Sequence, residues 1–248
     1  MLFPIGDDNS DRTIMPVVNY ILIAINILVF VVFQGLGSNL EFTYAFSTVP
    51  EEIVTGADII TEDTAVQDPY TGRMYRQPGL QSTPLSVYIT LLTSMFMHGG
   101  LAHIFGNMLY LWIFGDNIEN ILGHKRYILF YLMCGVLASL AHVLTTAAFG
   151  GNMFIPSLGA SGAISGVLGG YMLLFPRRRV RVLIFRMIQE VPSIVAIGLW
   201  FVFQLISGLG VLGGDSQGGG VAYAAHIGGF IAGLILVKLF AAGAPSQH

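Results

Sequence analysis

His103 and Asn107 stand four residues apart, Ser161 opens the small-residue stretch "SGAISGVLGG", and His226 lies in "AHIGGFIAG". A serine hydroxyl is a weak nucleophile until a neighbouring base takes its proton, and histidine is the usual partner. An asparagine amide and a histidine ring N–H are donors that stabilise the oxyanion of a tetrahedral intermediate. Together these residue types describe acyl transfer by a serine. Chain elements must bring them together.

Those elements are membrane helices. Of 248 residues 54% are hydrophobic and only 10% are charged, against roughly 25% charged in soluble domains. The net charge of -3 says little alone, since the distribution of charge matters more than its sum; no nucleic-acid partner is expected. Cys134 is the only cysteine, which leaves no intrachain disulfide. Apolar runs predict six spans, near Val17–Leu36, Leu101–Ile121, Lys125–Phe149, Ser161–Phe175, Pro192–Leu212 and Ala222–Phe240. The fourth is short, about 22 Å at 1.5 Å per residue. The first is too long and too acidic in its flank for a cleaved signal.

The expected fold is therefore all-α, a polytopic bundle of six transmembrane helices in one domain. Residues 1–16 form a short N-terminal segment, 17–241 the membrane domain and 242–248 a tail. A polar segment at 39–84, with seven acidic and two basic residues, joins the first two spans as a large loop. Nine of the eleven lysines and arginines, "HKR" and "RRRVR" among them, fall on the side of the termini. The positive-inside rule then puts both termini in the cytoplasm and the 39–84 loop outside. The cell membrane, plasma or inner, is the expected location.

This topology sorts the intramembrane polar residues, which are functional candidates by default. Spans two, four and six all run inward. His103 and Asn107, Ser161 and His226 therefore fall at similar depth near the outer side, from three helices. His103 and Asn107 share a helix face by their spacing. Gly229 and Gly233 lie on the side of His226, while Gly162 and Gly166 follow Ser161. Small-xxx-small faces let backbones approach closely in lipid, so glycine packing is expected to bring the serine to the histidine.

Other polar residues have plainer readings. His142 and Gln204 read as interhelical hydrogen bonds, and Asp116 and Glu119 as anchors or partners for Lys125 and Arg126. His98 and His103 do not match the H-E-x-x-H spacing of a zinc site, and no cysteine or carboxylate lies beside them. No metal or other cofactor is expected. The loop "GGDSQGGG" at 213–220 is positioned to cover the site.

The order and intervals of "HGGLAHIFGNMLYLWIFGDNIENILG", "GASG" and "AHIGGFIAG" resemble the rhomboid family of intramembrane serine proteases. The resemblance runs from about Thr83 to Phe240. It implies that Ser161 is the nucleophile and His226 the general base of a dyad without a third carboxylate. It also implies that His103, Asn107 and the Ser161 N–H, with Gly159 beside them, form the oxyanion site. Substrates would be transmembrane proteins cleaved near the outer surface, with the fifth span forming part of their entry gate. Many rhomboids carry a tyrosine four residues after the nucleophile that packs on the base, and here Ser165 stands there. A non-proteolytic rhomboid-like protein binding client transmembrane segments is the alternative. A small proton-coupled transporter is a third class, but no inverted repeat of broken helices supports it.

Overall fold

The computed structural model describes residues 3–67, 72–212 and 222–242. Its centre is a helix, α7 (Ser161–Leu174), in which every residue from Gly162 to Tyr171 is buried. Around it stand α5 (Leu101–Leu122), α6 (His124–Ala148), α8 (Ser193–Leu212) and α9 (Tyr223–Ala241). The first apolar helix, α1 (Val17–Leu28), continues into a π-helical turn at Val29–Phe33 and packs on α5. By length and apolarity α6, α8 and α9 each suffice to cross a bilayer. A fourth candidate is α5 with the short segment Val87–Phe96 before it, containing α4 (Thr90–Thr93), the pair bent by 80°. Val17–Phe33 and Ser161–Leu174 are shorter apolar helices. The protein is thus an integral membrane protein with three or four such spans among the described residues, where the sequence predicts six.

Glycine explains how α7 is held so closely. A Cβ on Gly229 of α9 would lie 2.1 Å from the Gly162 carbonyl oxygen, and one on Gly233 would lie 2.0 Å from that of Gly166. Only bare backbones fit at this distance. Cys134 of α6 fills the other side, 2.4 Å from where a Gly166 Cβ would sit. Towards the inner end, Phe114 of α5 meets Tyr171 edge-on at 5.0 Å between centroids.

The chain is not purely helical. Strand β1 (Phe3–Asp7) pairs antiparallel with β4 (Arg179–Ile184), which pairs with β5 (Met187–Pro192). This sheet corrects the all-α expectation, and it gives the short N-terminal segment a strand. Alternation explains it: Val180 and Val182 are buried while Arg179 and Arg181 point outward, the period of a half-buried strand. Strand β5 ends at Pro192 and α8 begins at the next residue, where Ser193 Oγ donates to the Phe175 carbonyl at 2.5 Å.

The polar end of α5 receives the N-terminal segment. Asp116 pairs with Arg12 at 2.8 Å, and Asn120 Oδ1 accepts from the Thr13 and Ile14 amides. Glu119 accepts from the Val18 and Asn19 N–H groups at 2.9 and 2.7 Å. It thereby caps α1, whose own N-cap is a proline with no side-chain bond, and satisfies two otherwise orphaned helix amides. Glu119 also holds His124 at 2.5 Å. The partners of these carboxylates are therefore Arg12, backbone amides and His124, in place of the expected Lys125 and Arg126. Asp7 Oδ2 accepts from Tyr171 Oη at 2.6 Å and Asn117 Nδ2 at 2.8 Å. Burial pushes the Asp7 carboxyl up to about 7, reinforced by Asp116 and Asp8 and opposed by the Tyr171 hydroxyl and Arg178.

The 39–84 segment carries structure of its own: α2 (Leu40–Ala45), α3 (Pro50–Thr55) and a hairpin of β2 (Thr64–Gln67) with β3 (Met74–Gln77). Arg76 pairs with Asp63 and, at 3.2 Å, with Glu41. This pairing holds the Asp63 carboxyl below its usual range.

Candidate active site

Ser161 is the first residue of α7, so its hydroxyl and amide stand where the helix N–H groups have no intrahelical partner. The approach to it is fixed by the 39–84 segment. Thr48 and Ser157 exchange two backbone hydrogen bonds, at 2.9 and 2.8 Å, and Gly159 N–H donates to the Ser94 carbonyl at 2.8 Å. Gly159 has φ +124°, a conformation that disfavours a side chain. A Cβ there would lie 2.9 Å from His103 Nε2 and 3.6 Å from Ser161 Oγ. Its amide is already bonded to Ser94, so Gly159 leaves room beside His103 and Ser161 and offers no free donor.

The Ser161 hydroxyl lies 2.8 Å from His226 Nε2. His226 stands on α9, one turn before Gly229, so the backbone contact between Gly162 and Gly229 sets the spacing of this pair. The other ring nitrogen, Nδ1, lies 2.7 Å from Gln204 Oε1 of α8. Trp200 of α8 stands against the imidazole at 6.1 Å and 35°, and Tyr223 meets it edge-on at 6.5 Å.

Ser165 occupies none of that space. Its hydroxyl turns back to donate to the Ser161 carbonyl at 2.6 Å, the usual bond of a mid-helix serine to the residue four before it. The histidine ring is therefore flanked from α8 and from its own helix.

On α5, His103 Nδ1 accepts from the Gly99 N–H at 3.3 Å, which leaves the ring proton on Nε2, the atom beside Gly159. Asn107 follows one turn later, 8% exposed. Its Nδ2 has no hydrogen-bond partner among the described residues. A buried donor without an acceptor costs about 1–3 kcal/mol. The break before α5 is pinned by Gln34, whose amide accepts from His98 N–H and donates to its carbonyl, both at 2.9 Å. A small cavity beside Ser161 is lined by Ser94, Ser139, Ser157 and Gly159.

Ser161 and His103 thus flank Gly159, His226 reaches the Ser161 hydroxyl, and Asn107 lies on the His103 face of α5. Gly162, Gly166, Gly229 and Gly233 form the seam between α7 and α9. The 213–220 loop lies outside the described residues. Gln204 is the residue that sequence reasoning undervalued. Its signal was present: Trp200 and Gln204, four apart on one helix, both face His226. A hydroxyl against an imidazole, with ring and amide donors nearby, is an arrangement able to carry out acyl transfer.

A family model described as the rhomboid domain matches residues 86–243. The mitochondrial rhomboid protein 1 of Saccharomyces cerevisiae is 32% identical over 156 residues, 63% of this chain and 43% of that protein. Rhomboid protease GluP of Bacillus subtilis is 30% identical over 221 residues, 88% of this chain and 34% of that protein. The human mitochondrial presenilin-associated rhomboid-like protein is 33% identical over 120 residues, 44% and 31% of the two chains. The chain spans less than half the length of each of these relatives.

Proposed function

This chain belongs to the rhomboid family, and on that premise we propose that it is an intramembrane serine endopeptidase acting through Ser161 and His226. The observation that carries the reading is the 2.8 Å contact between Ser161 Oγ and His226 Nε2. In the first step His226 Nε2 takes the hydroxyl proton as Oγ bonds to the scissile carbonyl carbon. The carbonyl π pair moves onto oxygen. Asn107 Nδ2, His103 Nε2–H and the Ser161 amide at the positive end of α7 receive that charge. His226 then returns the proton to the leaving amine, the C–N bond breaks, and an acyl-serine remains. Water attacks the ester by the same route, with His226 as base, and restores Ser161.

Substrates are transmembrane proteins cut near the extracytoplasmic side, where a helix is locally unwound. The chain crosses the bilayer six times, the shorter apolar helices included. It sits in the cell membrane with both termini cytoplasmic; nine of eleven basic residues lie on the side of the termini, which supports that orientation by the positive-inside rule. The 39–84 segment then stands outside, over the site.

The test is cleavage of a single-span substrate by purified protein in detergent. Ser161→Ala and His226→Ala are each expected to lose on the order of 10⁴-fold or more in kcat, and with it fluorophosphonate labelling. Equal cleavage by Ser161→Ala would exclude the mechanism. Client binding without turnover, unchanged by Ser161→Ala, would replace it with a non-proteolytic client-binding role.

A further inference from the structure

Helix α8 is enclosed on one side only. From Ser193 to Gly210 its buried residues are Ser193, Ile197, Gln204 and Gly208, while Leu199, Val202, Phe203, Ile206 and Leu209 face outward. A buried amide at this depth is costly without a hydrogen bond. Gln204 makes that bond to the ring that the proposed chemistry needs.

The bond selects a tautomer. With Gln204 Oε1 as the acceptor, Nδ1 carries the proton and Nε2 presents its lone pair to Ser161 Oγ. The opposite tautomer would point Nε2–H at the hydroxyl and leave nothing to accept its proton. No other described residue is hydrogen-bonded to Nδ1. The remaining titratable groups acting on His226 are His103 of α5 and His142 of α6, and Tyr223 and Trp200 touch it only through their rings. Ser165 of α7 gives the ring no support, since its hydroxyl is bonded to Ser161.

We propose that Gln204 is the positioning residue of His226, holding it in the tautomer and plane that let it act as base, and that this orientation is delivered by α8. The inference rests on the peptidase reading above. Its consequence is a coupling: the base is aligned while α8 is seated, and loses its alignment whenever α8 moves far enough to break a 2.7 Å hydrogen bond.

The competing role for Gln204 is interhelical glue, and the two separate experimentally. Gln204→Leu removes the acceptor, and Gln204→Glu keeps it at the same reach. Full-length protein is assayed on a single-span substrate, with thermal stability measured alongside. Losing the charged orienter of a serine triad costs about 10⁴-fold, and a neutral hydrogen bond is roughly half as strong as a charged one. Gln204→Leu is therefore expected to lose roughly 10²-fold in kcat with KM unchanged, and Gln204→Glu to recover most of that loss. Wild-type kcat in Gln204→Leu overturns the proposal. So does a Gln204→Glu variant as impaired as Gln204→Leu, or a loss of kcat matched by equal unfolding. Absence of cleavage by the wild-type protein itself, or cleavage that survives Ser161→Ala, overturns the peptidase reading instead.

Discussion

Gly162 and Gly229 meet backbone to backbone: a Cβ on Gly229 would stand 2.1 Å from the Gly162 carbonyl oxygen. That oxygen belongs to the main chain and cannot swing aside, so Gly229→Ala must push α9 from α7. Overpacking of this kind costs about 1–3 kcal/mol. His226, three residues earlier, moves with the helix, and a displacement of about 1 Å at a reacting group costs about 10²-fold in rate. Gly229→Ala is expected to lower both melting temperature and cleavage. Gly106→Ala, where a Cβ meets nothing within 4 Å, is expected to leave both near wild type. Equal effects of the two substitutions would contradict this account.

Asn107 separates activity from stability. Its Nδ2 is buried and has no partner among the described residues, so Asn107→Leu removes an unsatisfied donor and is expected to be no less stable than wild type. Loss of one oxyanion donor costs about 10²–10³ in kcat, and that fall is the expected kinetic result. A variant that melts early and cleaves normally would place Asn107 among the packing residues.

The N-terminal strand is expected to respond to pH through Asp7. Its carboxyl is held up at about 7, chiefly by burial, with Asp116 and Asp8 adding to the effect and Tyr171 and Arg178 opposing it. Between the ordinary carboxyl value and about 7 the folded protein keeps a proton that the unfolded chain has released. Stability from this group is therefore full below about 4, declines through the window, and is absent above about 7. Asp7→Asn keeps a neutral acceptor for Tyr171 and Asn117. It is expected to flatten this part of the pH dependence and to raise stability at pH 8. Hydrogen exchange in β1, compared at pH 5 and 8, is the measurement. Unchanged pH dependence in Asp7→Asn would refute the assignment.

A crosslink tests whether α8 must move for a large substrate. A Cβ on Gly208 would lie 3.2 Å from that of Tyr223, close to the separation a disulfide spans. Gly208→Cys with Tyr223→Cys, in a Cys134→Ala background, joins α8 to α9 beside His226. Oxidised protein is expected to retain fluorophosphonate labelling of Ser161 and lose cleavage of a single-span protein, with reduction restoring cleavage. Unimpaired cleavage when oxidised would show that substrate enters without displacing α8.

The candidate site was largely legible in the sequence because lipid makes polar residues informative. His103, Asn107, Ser161 and His226 stood out against apolar runs, and spacing of four assigned them and the glycines to helix faces. Gln204 was legible as a buried polar residue, but its partner was not. Which of several rings an amide reaches depends on the rotation of α8, and periodicity does not fix that across 22 residues of chain. The pairing of β1 with β4 was illegible for a different reason. Five residues carry almost no pattern, and their partners lie more than 170 positions away. The partners of Asp116 and Glu119 followed from that pairing, since the strand draws Arg12 and the start of α1 onto the end of α5. Of the six apolar runs, three or four meet the length of a bilayer crossing among the described residues, while Val17–Phe33 and Ser161–Leu174 fold as shorter apolar helices whose composition alone does not fix their depth.

Strand β5 runs into α8 without a linker, and β5 is held to β4, which is held to β1. One end of α8 is therefore moored by a hydrogen-bonded sheet and by Ser193 on the Phe175 carbonyl, while its other end leads into the 213–220 segment. A rod moored this way behaves as a lever whose fulcrum is the sheet. Gln204 sits eleven residues from that fulcrum, about 16 Å along the rod. A tilt of roughly 5° at the moorings then carries its amide sideways by more than 1 Å at that radius. Small changes in the strand register at one face of the protein are magnified at the histidine near the other.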